Sequence, residues 1–434
     1  MILRSRRNWL VNRPLAVLLF AIALLASPAS SRAYSVLSHQ AIIDASWDDS
    51  IKPDLLKRFP DATAEELSAA QAYAYGGAII QDLGYYPYGS HFFSDLTHYV
   101  RSGDFILALL QDSKDIYEYA FALGAMAHYA ADNYGHRIGT NRAVPLLYPS
   151  LKKKYGDVVT YEEDKLAHTK TEFGFDVLEV AKERYAPDSY HDFIGFEVAQ
   201  RLLEQAFQET YGLELKSVLL DEDKALRSYR HAVSKLLPKA TRIAWHLKKD
   251  EIKDDAPGVT KRKFLYNLKR SNFEKEWGRD YKRPSPGEKF LAFLYLLLPK
   301  WGPLKVLQFR TPTPESERYF EASFNETLDH YRELLRAQGT GDVKLPNDNF
   351  DVGADTGPGK YKLNDGAHAE LVSRLADQKF AGASPVMLAE LKEFYADPSV
   401  SASSKMNQKA RAKLETAIEQ LKLLKGTKVV AGAN

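Results

Sequence analysis

The sequence predicts an all-α protein. Apolar residues recur at three- and four-residue steps over long segments. Helix-boundary residues stand at the ends of those segments, and period-2 runs joined by hairpin turns are scarce. Such a pattern predicts a multi-helix bundle.

Taken in chain order, the first segment is not part of the fold. Arg4, Arg6, Arg7 and Arg13 precede an apolar stretch at 15–25 that is too short to span a bilayer. Ser31-Arg32-Ala33 then offers small residues at a cleavage site, so 1–33 reads as a signal peptide. Cleavage would leave Tyr34 as the mature N-terminus of a secreted or periplasmic protein.

Helices are expected at 64–75, 104–131, 161–185, 194–210, 221–247, 314–337 and 404–424. Asp61-Ala-Thr-Ala-Glu-Glu and Thr313-Pro-Glu-Ser-Glu carry N-terminal helix signals. The stretch 121–131 (FALGAMAHYAA) is apolar nearly all round and rich in small residues, as expected of a helix buried mid-bundle.

Residues 261–310 hold 13 Lys/Arg against 4 Asp/Glu, interleaved with aromatics from Phe264 to Phe309. This block offers a peripheral membrane-surface face, with an ordinary solvated helix as the alternative. Residues 338–367, rich in Gly, Asp, Asn and Pro, read as a loop or linker. The expected organisation is a catalytic domain at 34–250, a basic and aromatic helical extension at 251–337, that loop, and C-terminal helices at 368–434.

At 45% hydrophobic and 27% charged residues, the chain can bury a core, and a net charge of +2 excludes a global polyanion binder. It has no cysteine, so any metal site must use His, Asp, Glu, backbone or water. The histidines and carboxylates show a pattern suited to that task. His128, Asp132 and His136 follow one another at four-residue steps, and His168 and Glu172 repeat the step. Residues i and i+4 share a helix face. Taken alone, each pair reads first as a buried hydrogen-bonded pair. Seven of the 11 histidines fall between 39 and 191, which favours a multinuclear metal site.

In order, these residues resemble the zinc-dependent phospholipase C family, related to the S1/P1-type nucleases. They look especially like the catalytic domain of glycosylphosphatidylinositol-specific phospholipase D. The resemblance covers roughly 34–185. It implies an all-α fold with three zinc ions in a cleft. Tyr34 precedes His39 by five residues (YSVLSH), as the mature N-terminal aromatic does in the nucleases, which have Trp there. Asp82 in GAIIQD matches a family Asp. SHFFSD resembles SHFYDPD of bacterial phospholipases C and favours His91 as the next ligand, while THY at 97–99 makes His98 the rival. His128 and Asp132 fit the His-x3-Asp motif whose Asp bridges two zinc ions. His136 follows with the shorter phospholipase D-like spacing, and His168 and Glu172 match the final His-x3-Glu pair.

The resemblance implies a zinc-dependent phosphodiesterase acting on a phospholipid, with zinc-bound hydroxide as nucleophile and Asp82 orienting or deprotonating the water. The alternatives are a nuclease or nucleotidase, and a non-catalytic zinc-binding secreted protein. Nothing in the sequence offers a base-stacking pocket, so no nucleic-acid partner is expected.

Overall fold

The computed structural model describes residues 36–182, 196–231, 308–396 and 407–424. The signal peptide, Tyr34 and all of the 261–310 block before residue 308 lie outside the described residues. The described chain is built of helices, and its only β feature is an isolated bridge between Asn349 and Ala354. The all-α expectation holds.

The first helices are α1 (Val36–Ser46), continued by a π-helical turn at Trp47–Ile51, then α2 (Lys52–Arg58) and α3 (Ala64–Gly77). A 3-10 turn at Ile80–Tyr85 leads into α4 (His91–Tyr99), α5 (Ser102–Asp112) and α6 (Ile116–Tyr134). A second π-helical turn, Gly135–Thr140, leads to α7 (Asn141–Leu147), α8 (Pro149–Tyr155) and α9 (Lys165–Ala181). After them come α10 (Gln200–Tyr211), α11 (Leu215–Val218) and α12 (Glu222–His231). The C-terminal part contributes α13 (Pro314–Thr340), α14 (Lys362–Asp377), α15 (Pro385–Phe394) and α16 (Gln408–Leu423).

Local chemistry sets the helix ends. Thr63 and Glu66 form a capping box at α3, and Thr313 and Ser316 form one at α13. The single helix expected over 104–131 is broken. Asp115 accepts from the backbone of Tyr117 and Glu118, both at 2.9 Å, and starts α6 afresh. Likewise α9 begins at Lys165, not at 161, because Asp164 accepts from the Ala167 N–H at 2.8 Å.

Helix α6 is the axis of the bundle. Residues 118–133 are buried without interruption. Helices α1, α2, α3, α5 and α13 all pack against α6, and α3 lies closest along it. Two glycines permit that approach. A Cβ on Gly77 would stand 1.9 Å from the Phe121 carbonyl oxygen, and one on Gly124 would stand 2.0 Å from that of Ala74. Helix α13 also packs on the second π-helical turn and α7, and Tyr331 donates to the Leu123 carbonyl at 3.0 Å.

The irregular segment after α13 runs inward. Leu345, Asn349, Phe350 and Asp351 are buried. Tyr129 donates to the Pro346 carbonyl at 3.0 Å, and Phe350 N–H to the His98 carbonyl at 3.1 Å. This brings the 338–367 stretch against the residues that the metal motifs single out. Among the described residues no helix is long and apolar enough to cross a membrane.

Candidate metal centre

Six elements converge on one buried cluster. Helix α6 presents His128 and Asp132 one turn apart, and the π-helical turn that follows carries His136. Helix α1 supplies His39, the 3-10 turn Asp82, α4 His98, and α9 both His168 and Glu172. None of these eight residues is more than 3% exposed. They fall into three donor groups, His39/His128/Asp132, Asp82/His98/His128 and His136/His168/Glu172, each with its ligand atoms within 4.8 Å of one another.

The imidazoles are held in defined orientations. Nδ1 of His128 faces the Ala78 carbonyl at 3.0 Å, Nδ1 of His98 the Ser94 carbonyl at 2.7 Å, and Nδ1 of His136 the Phe350 carbonyl at 3.0 Å. A nitrogen facing a carbonyl carries a proton, so in the neutral ring Nε2 holds the lone pair that a cation in the cluster would take. His168 is turned the other way. Its Nε2 faces Asn141 Oδ1 at 2.8 Å, which leaves Nδ1 towards Glu172.

Those lone pairs meet carboxylates. His98 Nε2 and His128 Nε2 lie 3.3 and 3.2 Å from Asp132 Oδ2, while His39 Nε2 lies 3.6 Å from Asp132 Oδ1. His98 Nε2 is also 3.6 Å from Asp82 Oδ1, and His136 Nε2 is 3.6 Å from Glu172 Oε1. Two donors on a tetrahedral zinc stand roughly 3.3–3.4 Å apart, given zinc–ligand lengths of about 2.0–2.1 Å. The spacings of 3.2–3.6 Å match that. Only the His168 Nδ1 to Glu172 Oε1 pair is tighter, at 2.7 Å.

Both oxygens of Asp132 and of Glu172, and Nε2 of His136, are buried without a hydrogen bond. Buried polar atoms left so are expensive. A cation between them offsets that cost, and the all-N/O donor set is one that zinc accepts. The electrostatics agree. Burial pushes the Glu172 carboxyl up to about 8. Burial also works against the charge of Asp132, yet neighbouring His128 holds that carboxyl well below the usual range. Burial and then the nearby His136 push His168 well below the ordinary imidazole value.

Of the residues singled out in the sequence, eight are gathered here. His91 is not: it is exposed at the first position of α4, and the structure places His98 in the cluster instead. The two lie seven residues apart and share a face, but His91 stands about 10 Å further along the axis. Ser94 and Thr97 seat that face on the Gln81 carbonyl, which brings His98 rather than His91 opposite Asp82. Tyr34 lies outside the described residues, but the start of α1 is held nearby. Asp176, one turn beyond Glu172, accepts from the backbone of Leu37 at 3.0 Å and of Ser38 at 3.1 Å.

Sequence reasoning missed Asp176, Asn141, Phe350 and Asp351. Asp176 had a usable signal, since it continues the four-residue step of His168 and Glu172. The other three had none.

The matched protein family agrees with this geometry. Residues 38–220 match the zinc dependent phospholipase C family model, and this stretch contains all eight donors. The curated proteins and the solved structures contain no match to the chain. With its ordered donors in three buried groups, the 38–220 region of this chain is similar to the zinc-dependent phospholipase C family, whose model it matches.

Proposed function

We propose that the chain is a secreted or periplasmic zinc-dependent phosphodiesterase that hydrolyses phospholipids in the manner of a phospholipase C. The observation that carries this is the pair of buried carboxylates, Asp132 and Glu172, whose oxygens face histidine nitrogens without a hydrogen bond inside the family-matched region.

Three zinc ions per chain are assigned to the three donor groups, with the one free nitrogen of His128, a residue shared by two of the groups, serving a single ion. The family resemblance assigns the amine of Tyr34, after removal of the signal peptide, to the ion held by His39. Bound zinc would supply a water activated near neutral pH and positive charge for the phosphate oxygens. The chain's own residues do the rest. Asp132 offers one oxygen to the His39 side and the other to the His98 and His128 side, so it holds two donor groups in fixed relation. Three carboxylates among eight donors leave three divalent ions with net positive charge, which suits a phosphodiester. Asp82, on the buried 3-10 turn, is assigned the role of orienting the attacking water or taking its proton at a carboxylate oxygen. The basic and aromatic block at 261–310 is assigned to contact with the lipid surface.

The test is a substrate comparison. The mature zinc-loaded protein is incubated with phosphatidylcholine vesicles and, separately, with single-stranded DNA. Release of a phosphorylated headgroup with intact DNA is expected. Cleavage of DNA with intact lipid would replace this reading by a nuclease.

A further inference from the structure

The third donor group depends on residues far outside the family-matched region. Asp351 Oδ1 stands 3.3 Å from His136 Nδ1, beside the Phe350 carbonyl that faces the same nitrogen at 3.0 Å. Oδ2 of Asp351 accepts from Tyr99 and Tyr361, so the carboxylate cannot turn away. The backbone carbonyl of Asp351 accepts from Asn141 Nδ2 at 2.7 Å. That bond fixes which end of the Asn141 amide is which, and its Oδ1 is thereby presented to His168 Nε2 at 2.8 Å. Asn141 and Asp351 are both buried, at 2% and 1% exposed.

Taken together, two buried residues of one loop orient both histidines of the His136/His168/Glu172 group. We propose that Phe350 and Asp351 are positioning residues for a metal ion in that group. Phe350 and Asp351 keep the proton on His136 Nδ1, Asp351 through Asn141 keeps it on His168 Nε2, and His136 Nε2 and His168 Nδ1 are left as lone pairs aimed at Glu172. The loop at 345–361 is then part of the metal centre although it lies beyond residue 220. Partners of this kind set ring tautomer and ligand basicity, and losing one typically weakens metal binding roughly 10–100-fold. The inference rests on the zinc reading of the cluster.

The experiment uses the full mature chain and three variants: Asp351→Ala, Asn141→Ala and Asn141→Asp. Zinc per chain is measured by elemental analysis and chelator competition, and melting is followed in zinc-loaded and chelator-stripped protein. Asp351→Ala and Asn141→Ala should each weaken one zinc equivalent by roughly 10–100-fold and leave the others bound. Their melting temperatures should fall more in the loaded form than in the stripped form. Asn141→Asp keeps an acceptor for His168 but loses the donor to the Asp351 carbonyl, so it should recover part of the uptake lost in Asn141→Ala. Should Asp351→Ala fail to fold, the two Asn141 variants decide the matter. Wild-type protein that loads zinc alongside variants that load equally, and that lose the same stability loaded and stripped, would overturn this inference alone. Wild-type protein that takes up no zinc would overturn the zinc reading and this inference with it.

Discussion

Asp132 Oδ2 lies 3.2 Å from His128 Nε2, one turn back on the buried helix α6, and neither oxygen of this carboxylate accepts a hydrogen bond. In a protein interior this arrangement is costly unless a cation lies between the two groups. Asp132→Asn keeps the shape and removes the charge. Elemental analysis should show less bound zinc, phosphodiesterase activity should be lost, and circular dichroism should show the helices retained. A full complement of zinc in the variant would contradict the site.

Glu172 gives a prediction in pH. Its carboxyl rises from an ordinary 4.5 to about 8 in the folded, metal-free protein, chiefly through burial. A raised acid favours the folded state while protonated, so this contribution is complete below about pH 4.5 and is lost as pH rises through about 8. Glu172→Gln is neutral throughout. Chelator-stripped wild type should therefore lose stability relative to stripped Glu172→Gln across that window. Parallel stability curves for the two proteins would show that the carboxyl is not raised.

Asp176 anchors the first turn of α1, next to His39. It accepts from two backbone N–H groups, of Leu37 and Ser38, and from the Ser38 hydroxyl. Asp176→Ala leaves these donors buried and should cost about 3 kcal/mol. Denaturant unfolding measures the loss. Zinc should be lost first from the group containing His39, since that residue adjoins Ser38 on α1.

The contact of α3 with α6 should tolerate no side chain at Gly124, where a Cβ would meet the Ala74 carbonyl oxygen at 2.0 Å. Gly124→Val should destabilise by roughly 3 kcal/mol or more, because backbone rather than a flexible side chain must move. A melting temperature within about 1 °C of wild type would show that the helices can separate freely; a loss of 3 kcal/mol corresponds to several degrees.

Much of this centre was legible because helices repeat. His128 with Asp132, and His168 with Glu172, sit one turn apart in sequence and in space. The buried character of α6 was written in its small apolar residues. The break before α6 was harder to see, because apolar periodicity runs through Ser113-Lys114-Asp115 and only the capping of Asp115 interrupts it. His98 could not be separated from His91 by periodicity. Seven residues preserve the face, and the choice is made by where α4 seats on the 3-10 turn. Asp351 and Asn141 were invisible for a different reason. They are joined by a single hydrogen bond across 210 residues, in a stretch whose composition reads as a loop. Such a long-range contact leaves no local pattern.

Phospholipid hydrolysis is proposed to take place at the metal cluster built around Asp132 and Glu172. Its most direct test is a titration of the stripped mature protein with zinc, following metal bound per chain and headgroup released from a panel of phospholipid vesicles in the same samples. Activity should be absent without zinc and should rise as the three groups fill, with a phosphorylated headgroup as product. Protein that fills with zinc and leaves every phospholipid intact would contradict the claim.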